Sequence, residues 1–409
     1  MSTPRITLAI LAGLALPGAA NAANADAPSH DLARAEPIGT VTADFLFHDQ
    51  MPTGLTVTTD GRRFVSYPRW GDHPTYTVAE LVGDEEHAYP TKQINTLDIA
   101  APAQHLVSVQ SVVAPGDGHL WLLDTGILPA SGYDKAGPLA RGAKLVSVDL
   151  ATNTIDRRIV LPDHAALTRT YLNDVRIDTS KGRAGIAYIT DSSFTGPGAI
   201  IVVDLASGQA WRKLSGAAST SAENGFRPIV EGRYMMLDDG QGTPRVPSIP
   251  ADGIALSPDG TTLYYSALSG RTLYSVPTAG LRDRDLPDEA LEEQVEAIGE
   301  KGASDGLLMD AAGRLYATDY EHNAVHVLEP AERDSEWSTL AYDPRLLWPD
   351  TLSIGPNGDI YVTANQLHRQ SQYRAGHDAR NKPYVLYRIQ ADARPIPANH
   401  GQDSAPGRP

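Results

Sequence analysis

Six oxygen-bearing side chains, Thr53, Gln110, Asn173, Asp252, Asp305 and Asp350, stand at the same place in six copies of one sequence pattern. The pattern is a polar residue, alternating apolar residues, a turn with glycine, and a second β-rich run, as in "ADGIALSPDGTTLYYSA" (251–267), "SDGLLMDAAGRLYATD" (304–319) and "PDTLSIGPNGDIYVTAN" (349–365). Were the copies to pack around one axis, three carboxylates would meet there, repel one another and rise in pKa unless a cation sat between them. Oxygen ligands without His or Cys favour a hard cation, Ca²⁺ ahead of Mg²⁺, because a ring of side chains is wide and irregular. The competing reading of each copy alone is a turn, or a local bond from side chain to backbone.

The elements that would hold these residues follow from the repeat. The copies start 45 to 79 residues apart, room for blades of four short strands, the unit of roughly 40 to 50 residues that builds propellers. Asp60-Gly61, Asp117-Gly118, Asp259-Gly260 and Asn357-Gly358 supply tight hairpin turns. The expected fold is all-β, a six-bladed β-propeller with a central tunnel over residues 40–390, with "VTADFLFHD" (41–49) completing the last blade. "LPDEALEEQVEAI" (286–298) reads as an inserted helix, with Pro near its start and acidic residues in the first turn. Strand alternation sets the column: Asn173, rather than Asp174, shares a face with Val175 and Ile177.

Composition narrows the partners. The 409 residues carry 50 acidic against 34 basic side chains, a formal charge of −16, which argues against nucleic acid or an anionic membrane as the partner. There is no cysteine, hence no thiolate metal site or cysteine nucleophile. Residues 1–22 have one Arg, an apolar run from Ile6 to Leu16 and small residues ending at Ala22, the pattern of a secretory signal peptide. A secreted or periplasmic protein without membrane insertion is expected, with a flexible segment over 23–39 and a disordered tail over 391–409, rich in Pro, Gly and Ala.

Other residues with chemical potential are sparser. His48, His73, His87 and His105 lack zinc-type spacing and read as loop histidines. Asn365, His368 and Arg369 lie beyond a strand end and read as a solvated loop, or as the rim of a ligand mouth. Trp70, Tyr320 and Trp348 could stack on an aromatic or amine ligand, or pack between blades.

"YLNDVRID", "AYITDS", "GAIIVVDL", "DGIALSPDGTTLYYSALSGRTLYSVP" and "WPDTLSIGPNGDIYVTANQLHR", in this order, resemble the major royal jelly and yellow protein family over most of residues 40–390. That resemblance implies a secreted six-bladed propeller, in a family with dopachrome-converting proteins and binders of biogenic amines. A more distant likeness is to the regucalcin and gluconolactonase propellers, which hold a divalent ion at the tunnel mouth and open lactones. It carries metal-ligand positions over to Asn173, Asp252 and Asp305, and a proton-moving role to Asp305. This chain has Thr53 where that family has a metal-binding Glu; Asp350 would restore the charge.

Two functions are therefore expected as rivals. One is an enzyme, metal-dependent and lactonase-like or a dopachrome-type isomerase, using Ca²⁺ or another divalent ion and Asp305, with Thr53, Gln110 and Asp350 at the tunnel mouth. The other is a non-catalytic binder of a small cationic or aromatic ligand such as a biogenic amine. A surface interaction module with a merely structural axis is a third reading.

Overall fold

The computed structural model describes residues 36–70, 72–128, 138–330 and 336–397. The proposed signal peptide, most of the 23–39 segment and the tail beyond 397 lie outside the described residues. Strand β1 (Val41–Phe47) comes first in the chain and last in the fold. Blade 1 follows as β2 (Leu55–Val57), β3 (Arg63–Ser66), β4 (Val78–Val82) and β5 (Glu85–Ala88), then a short helix α1 (Lys92–Asn95). Blade 2 is β6 (Val109–Val113), β7 (His119–Asp124), β8 (Lys144–Asp149) and β9 (Thr154–Val160). Blade 3 is β10 (Leu172–Asp178), β11 (Ile186–Asp191), β12 (Ala199–Asp204) and β13 (Ala210–Lys213).

A two-stranded ribbon, β14 (Ile229–Val230) and β15 (Arg233–Tyr234), interrupts the series. Blade 4 is β16 (Ala251–Leu256), β17 (Thr262–Ala267), β18 (Thr272–Pro277) and, after helices α2 (Thr278–Arg282) and α3 (Asp288–Glu292), β19 (Glu296–Glu300). Blade 5 is β20 (Leu307–Met309), β21 (Leu315–Asp319), β22 (Ala324–Leu328) and β23 (Trp337–Tyr342). Blade 6 is β24 (Pro349–Ile354), β25 (Ile360–Ala364) and β26 (Tyr384–Ile389), closed by β1 on its outer edge, Val41 facing Ile389 and Phe47 facing Tyr384. The expected six-bladed propeller is what forms, and the chain start locks its last blade.

The blades lean on one another through buried apolar faces. Phe64, Val78, Val112, Leu122 and Val146 fill the first junction, and Leu123, Leu145, Val175, Ile189 and Ile201 the second. The same physics explains the runs of "IAYIT" and "AIIVV", buried on both faces.

A second device ties blade to blade, a hydroxyl on the second strand. Ser66 Oγ accepts from Gly54 N at 3.1 Å and donates to Gln110 O of the next blade at 2.8 Å. Thr190 Oγ1 accepts from Asp174 N and donates to Asp252 O at 2.7 Å. Thr363 Oγ1 accepts from Thr351 N and donates to Thr53 O at 2.8 Å, closing the ring.

The glycine after the polar residue has a steric reason. A Cβ on Gly253 would lie 2.5 Å from Asp305 O, and one on Gly306 would lie 2.2 Å from Asp350 O. Blades 4 and 5 thus press their entry backbone against the next blade, where only a residue without a side chain leaves room; blades 2, 3 and 6 carry Ser111, Asp174 and Thr351 at that place.

One expectation is corrected. The 286–298 helix shrinks to α3, because Glu296–Glu300 pairs with β18 as the outer strand of blade 4. Residues 391–397 are held: Ala393 N donates to Gly358 O, Ala311 N donates to Arg394 O, and Ile396 packs on the core around Leu307 and Met309. At the other end Ile38 already pairs with Tyr342. No helix among the described residues is long and apolar enough to cross a membrane.

Candidate functional site

Each innermost strand enters the tunnel from the same end, and four of them do so through a β-bulge. The register slips between Val109 and Ser111, Leu172 and Val175, Ala251 and Ile254, and Pro349 and Leu352. The residues inside these slips are Gln110, Asn173 with Asp174, Asp252 with Gly253, and Asp350 with Thr351. A bulge re-aims the side chain it carries, so the polar residue is turned toward the axis while the apolar alternation resumes behind it.

Gln110, Asn173, Asp252, Asp305 and Asp350 together line one chamber at the tunnel mouth. Below it they line a narrower space with Ser111, Asp174, Gly306 and Thr351. Thr53 is not among the lining residues of either space; it is fully buried, and its hydroxyl donates to Gln110 O at 3.1 Å as part of the joint between blades 1 and 2. Asp174, which strict alternation leaves out, joins the acidic group because the bulge admits two residues; it accepts from Ser111 Oγ at 2.7 Å and pairs with Arg176 at 3.1 Å.

Partners fix each carboxyl. Asp252 Oδ2 accepts from Ser192 Oγ at 3.2 Å and from Asn173 Nδ2 at 2.5 Å. Asp305 Oδ2 accepts from Trp348 Nε1 at 2.7 Å, and Asp350 Oδ2 from Asn365 Nδ2 at 2.6 Å. Asp252 and Asp305 also act on each other, the neighbour raising Asp305 and lowering Asp252.

Burial pushes the carboxyls of Asp252, Asp305 and Asp350 well above the ordinary range, and mutual repulsion adds to it: Asp350 acts on Asp252, Asp252 on Asp305, and Asp305 on Asp350. Repulsion between such neighbours opposes ionising all three together.

The walls and roof are aromatic and apolar. Trp70, Tyr171, Phe194, Ile249, Leu268, Leu367 and Tyr373 complete the chamber together with the polar Ser192 and Gln372, and its enclosed volume is about 50 Å³, room for a few waters. The roof comes from the connection carrying the β14–β15 ribbon and from the loop after β25. Glu231 pins the two together: His368 Nε2 lies 3.0 Å from its carboxylate, Arg374 donates to it at 3.0 Å, and Arg369 also bonds to it.

The residues flanking the column change roles on inspection. Asn365 and His368, expected in a solvated loop or at a ligand rim, are 0 % and 2 % exposed. Trp348 stacks between Tyr320, 4.2 Å away at 10°, and His368, 5.8 Å away, while its indole N–H reaches Asp305. Its φ of 59° is left-handed, a costly conformation for a bulky residue, kept where surroundings enforce it. Trp70 lines the chamber and donates to Gln110.

Oxygen-only donors suit a hard cation by type. Among the described residues, however, no group of three or more His, Cys, Asp or Glu is spaced to hold an ion.

With this geometry in view, comparison with known proteins is decisive for kinship. The family model described as "Major royal jelly protein" matches residues 107–396. The chain belongs to the major royal jelly protein family. It is similar to "Protein yellow" of Drosophila subobscura, 25% identical over 349 residues that cover 80% of this chain and 57% of that protein. It is 23% identical over 349 residues to "L-dopachrome tautomerase yellow-f" of Drosophila melanogaster, covering 80% of this chain and 76% of that protein. The chain thus spans about 57% of the length of the first of these relatives. Among solved structures, a luciferin-regenerating enzyme matches with a TM-score of 0.53 at 13% identity, over 88% of this chain and 99% of that one, a likeness of fold.

Proposed function

We propose that this royal jelly family propeller is an exported isomerase that moves a proton on a small oxidised catechol held in the acidic chamber. The observation that carries the reading is the convergence of three buried carboxyls, Asp252, Asp305 and Asp350, on one aromatic-walled cavity, where burial and mutual repulsion raise all three. Such a group can supply both an acid and a base, which general acid–base catalysis requires. Asp305, in the ionised form that the Trp348 N–H favours, removes the proton from a ring carbon; a protonated neighbouring carboxyl returns one to the carbonyl oxygen. One C–H bond breaks, one O–H bond forms, and no electrons leave the substrate.

The similarity to a protein named L-dopachrome tautomerase supports this choice of substrate class, and the leader-like first 22 residues support export. The test is loss of dopachrome colour with wild-type protein and with Asp305→Asn. A fall of about a hundredfold or more in the variant is expected from removal of a general base; equal rates in the two proteins would sink the reading.

A second reading, assistance by a divalent cation of the Ca²⁺ type, is favoured by the narrow space between Asn173, Asp174, Asp252, Asp305 and Asp350, which holds about 10 Å³, near the minimum for one water-sized particle. Asn173, Asp252 and Asp305 would hold the ion, which would polarise a carbonyl such as that of a lactone.

A further inference from the structure

Gln110 has an orientation that its neighbours leave no freedom to change. Its Oε1 accepts from Trp70 Nε1 at 3.0 Å and from Tyr171 OH at 2.6 Å. An indole nitrogen can only donate, so the atom facing Trp70 must be the amide oxygen. Burial, assisted by the carboxylates of Asp252, Asp350 and Asp305, pushes the Tyr171 hydroxyl well above its ordinary range, so it too remains a donor. With both lone pairs of Oε1 taken, the –NH₂ group is turned away from the Trp70–Tyr171 brace. Gln110 lines the chamber alongside Asp252, Asp305 and Asp350, and among the described residues its Nε2 has no acceptor.

The chamber therefore presents two unlike faces, an amide donor on blade 2 and acidic groups on blades 4, 5 and 6. A simple ammonium ligand would satisfy the acidic face and leave the amide unused. A carbonyl compound with an acidic C–H uses both.

Resting on the isomerase reading above, we propose that Gln110 is the carbonyl-recognising residue, donating Nε2–H to the substrate's oxygen, and that the substrates are aromatic or aminochrome-type carbonyl compounds rather than plain amines. As the carboxylate removes the ring-carbon proton, negative charge gathers on that oxygen. A fixed neutral donor aimed at it is worth most in such a water-poor site. The proton then passes from the neighbouring carboxyl to the oxygen, so the step stays redox-neutral. Trp70 and Tyr171 are positioning residues that hold the amide by its oxygen.

The experiment compares two probes on one ring system, isatin, which bears carbonyls, and indoline, which bears none, by calorimetric titration of the full chain. Wild type is expected to favour isatin by about tenfold, the equivalent of one buried hydrogen bond. Gln110→Leu should erase that preference with indoline affinity unchanged. Gln110→Met, which keeps the length of the side chain, serves if Gln110→Leu does not fold. No isatin preference in wild type, an equal loss for both probes, or a preference that survives removal of the amide overturns the proposal. Dopachrome turnover is scored separately: a wild type that leaves dopachrome unchanged yet shows the Gln110-dependent preference removes the isomerase reading and upholds this assignment.

Discussion

Trp348 donates its indole N–H to Asp305 Oδ2 at 2.7 Å from a backbone held at φ 59°. The bond favours the ionised form of Asp305, against the burial and the Asp252 charge that favour the neutral one. Trp348→Phe keeps an aromatic ring between Tyr320 and His368 and deletes only the donor. The rising limb of the pH–rate profile should then move to higher pH, while Tyr320→Phe, whose hydroxyl bonds to Leu268 O and not to the cluster, should leave it in place. An unmoved limb in Trp348→Phe would show that Asp305 is not the group that must ionise.

Stability should fall as pH rises from the acid side. Asp252, Asp305 and Asp350 have folded-state pKa values raised above the ordinary 3.8. The folded protein keeps protons that the unfolded chain has released, so their stabilising contribution is complete below 3.8 and is lost as pH climbs through the raised values. Melting temperature measured from pH 4 to 8 should decline more steeply for wild type than for the Asp252→Asn, Asp350→Asn double variant. Parallel curves would mean that the carboxyls are not strained by ionisation.

A hard cation would reverse that loss. Ligands that bind only the folded state raise the melting temperature with concentration. Ca²⁺ at neutral pH should therefore stabilise wild type and have no effect on Asp252→Asn or Asp305→Asn. The same small response in all three proteins would discard the cation reading and leave the proton-transfer one.

The tight entry of blade 5 makes its own prediction. Gly306→Ala places a Cβ 2.2 Å from Asp350 O, so the backbone on both sides must part, at about 1–3 kcal/mol for an overpacked site. Gly242, which has nothing within 4 Å of its would-be Cβ, is the control. Denaturant unfolding should separate the two variants, and equal stabilities would contradict the close blade contact.

Away from the axis, Lys144 and Asp124 form a buried pair at 2.6 Å, with side chains 1 % and 0 % exposed. Asp124 also accepts from the backbone N–H groups of Val107, Ser108 and Gly126, fixing the chain where it enters blade 2. Lys144→Met leaves that carboxylate without its cation, a loss of about 3–5 kcal/mol when a buried pair is broken from one side. Asp124→Asn combined with Lys144→Met should recover part of it in the same unfolding assay.

How far the residues announce themselves depends on whether their signal is local. The repeat is local: glycine-bearing turns such as Asp259-Gly260 and a polar entry residue recur from blade to blade, so the propeller and its closing strand were legible. Of the column, Thr53 serves instead in the joint between blades 1 and 2, and Asp174 went unread because period-two reasoning assumes an unbroken strand and the bulge between Leu172 and Val175 breaks it.

Trp348, Asn365, Ser192 and Tyr171 escaped notice as partners because each meets its target across a strand or a blade, 15 to 61 residues away in sequence. The 286–298 segment misled because Pro and acidic residues mark a helix start, while pairing to β18 decides how far the helix runs.

That the acidic cluster of Asp252, Asp305 and Asp350 keeps a proton at neutral pH is the claim on which the chemistry stands. Isotope-edited infrared spectra of aspartate carboxyls at pH 7 read it directly. A protonated-carboxyl band present in wild type and weakened in Asp305→Asn is predicted; a wild-type spectrum that shows only carboxylate bands would contradict it.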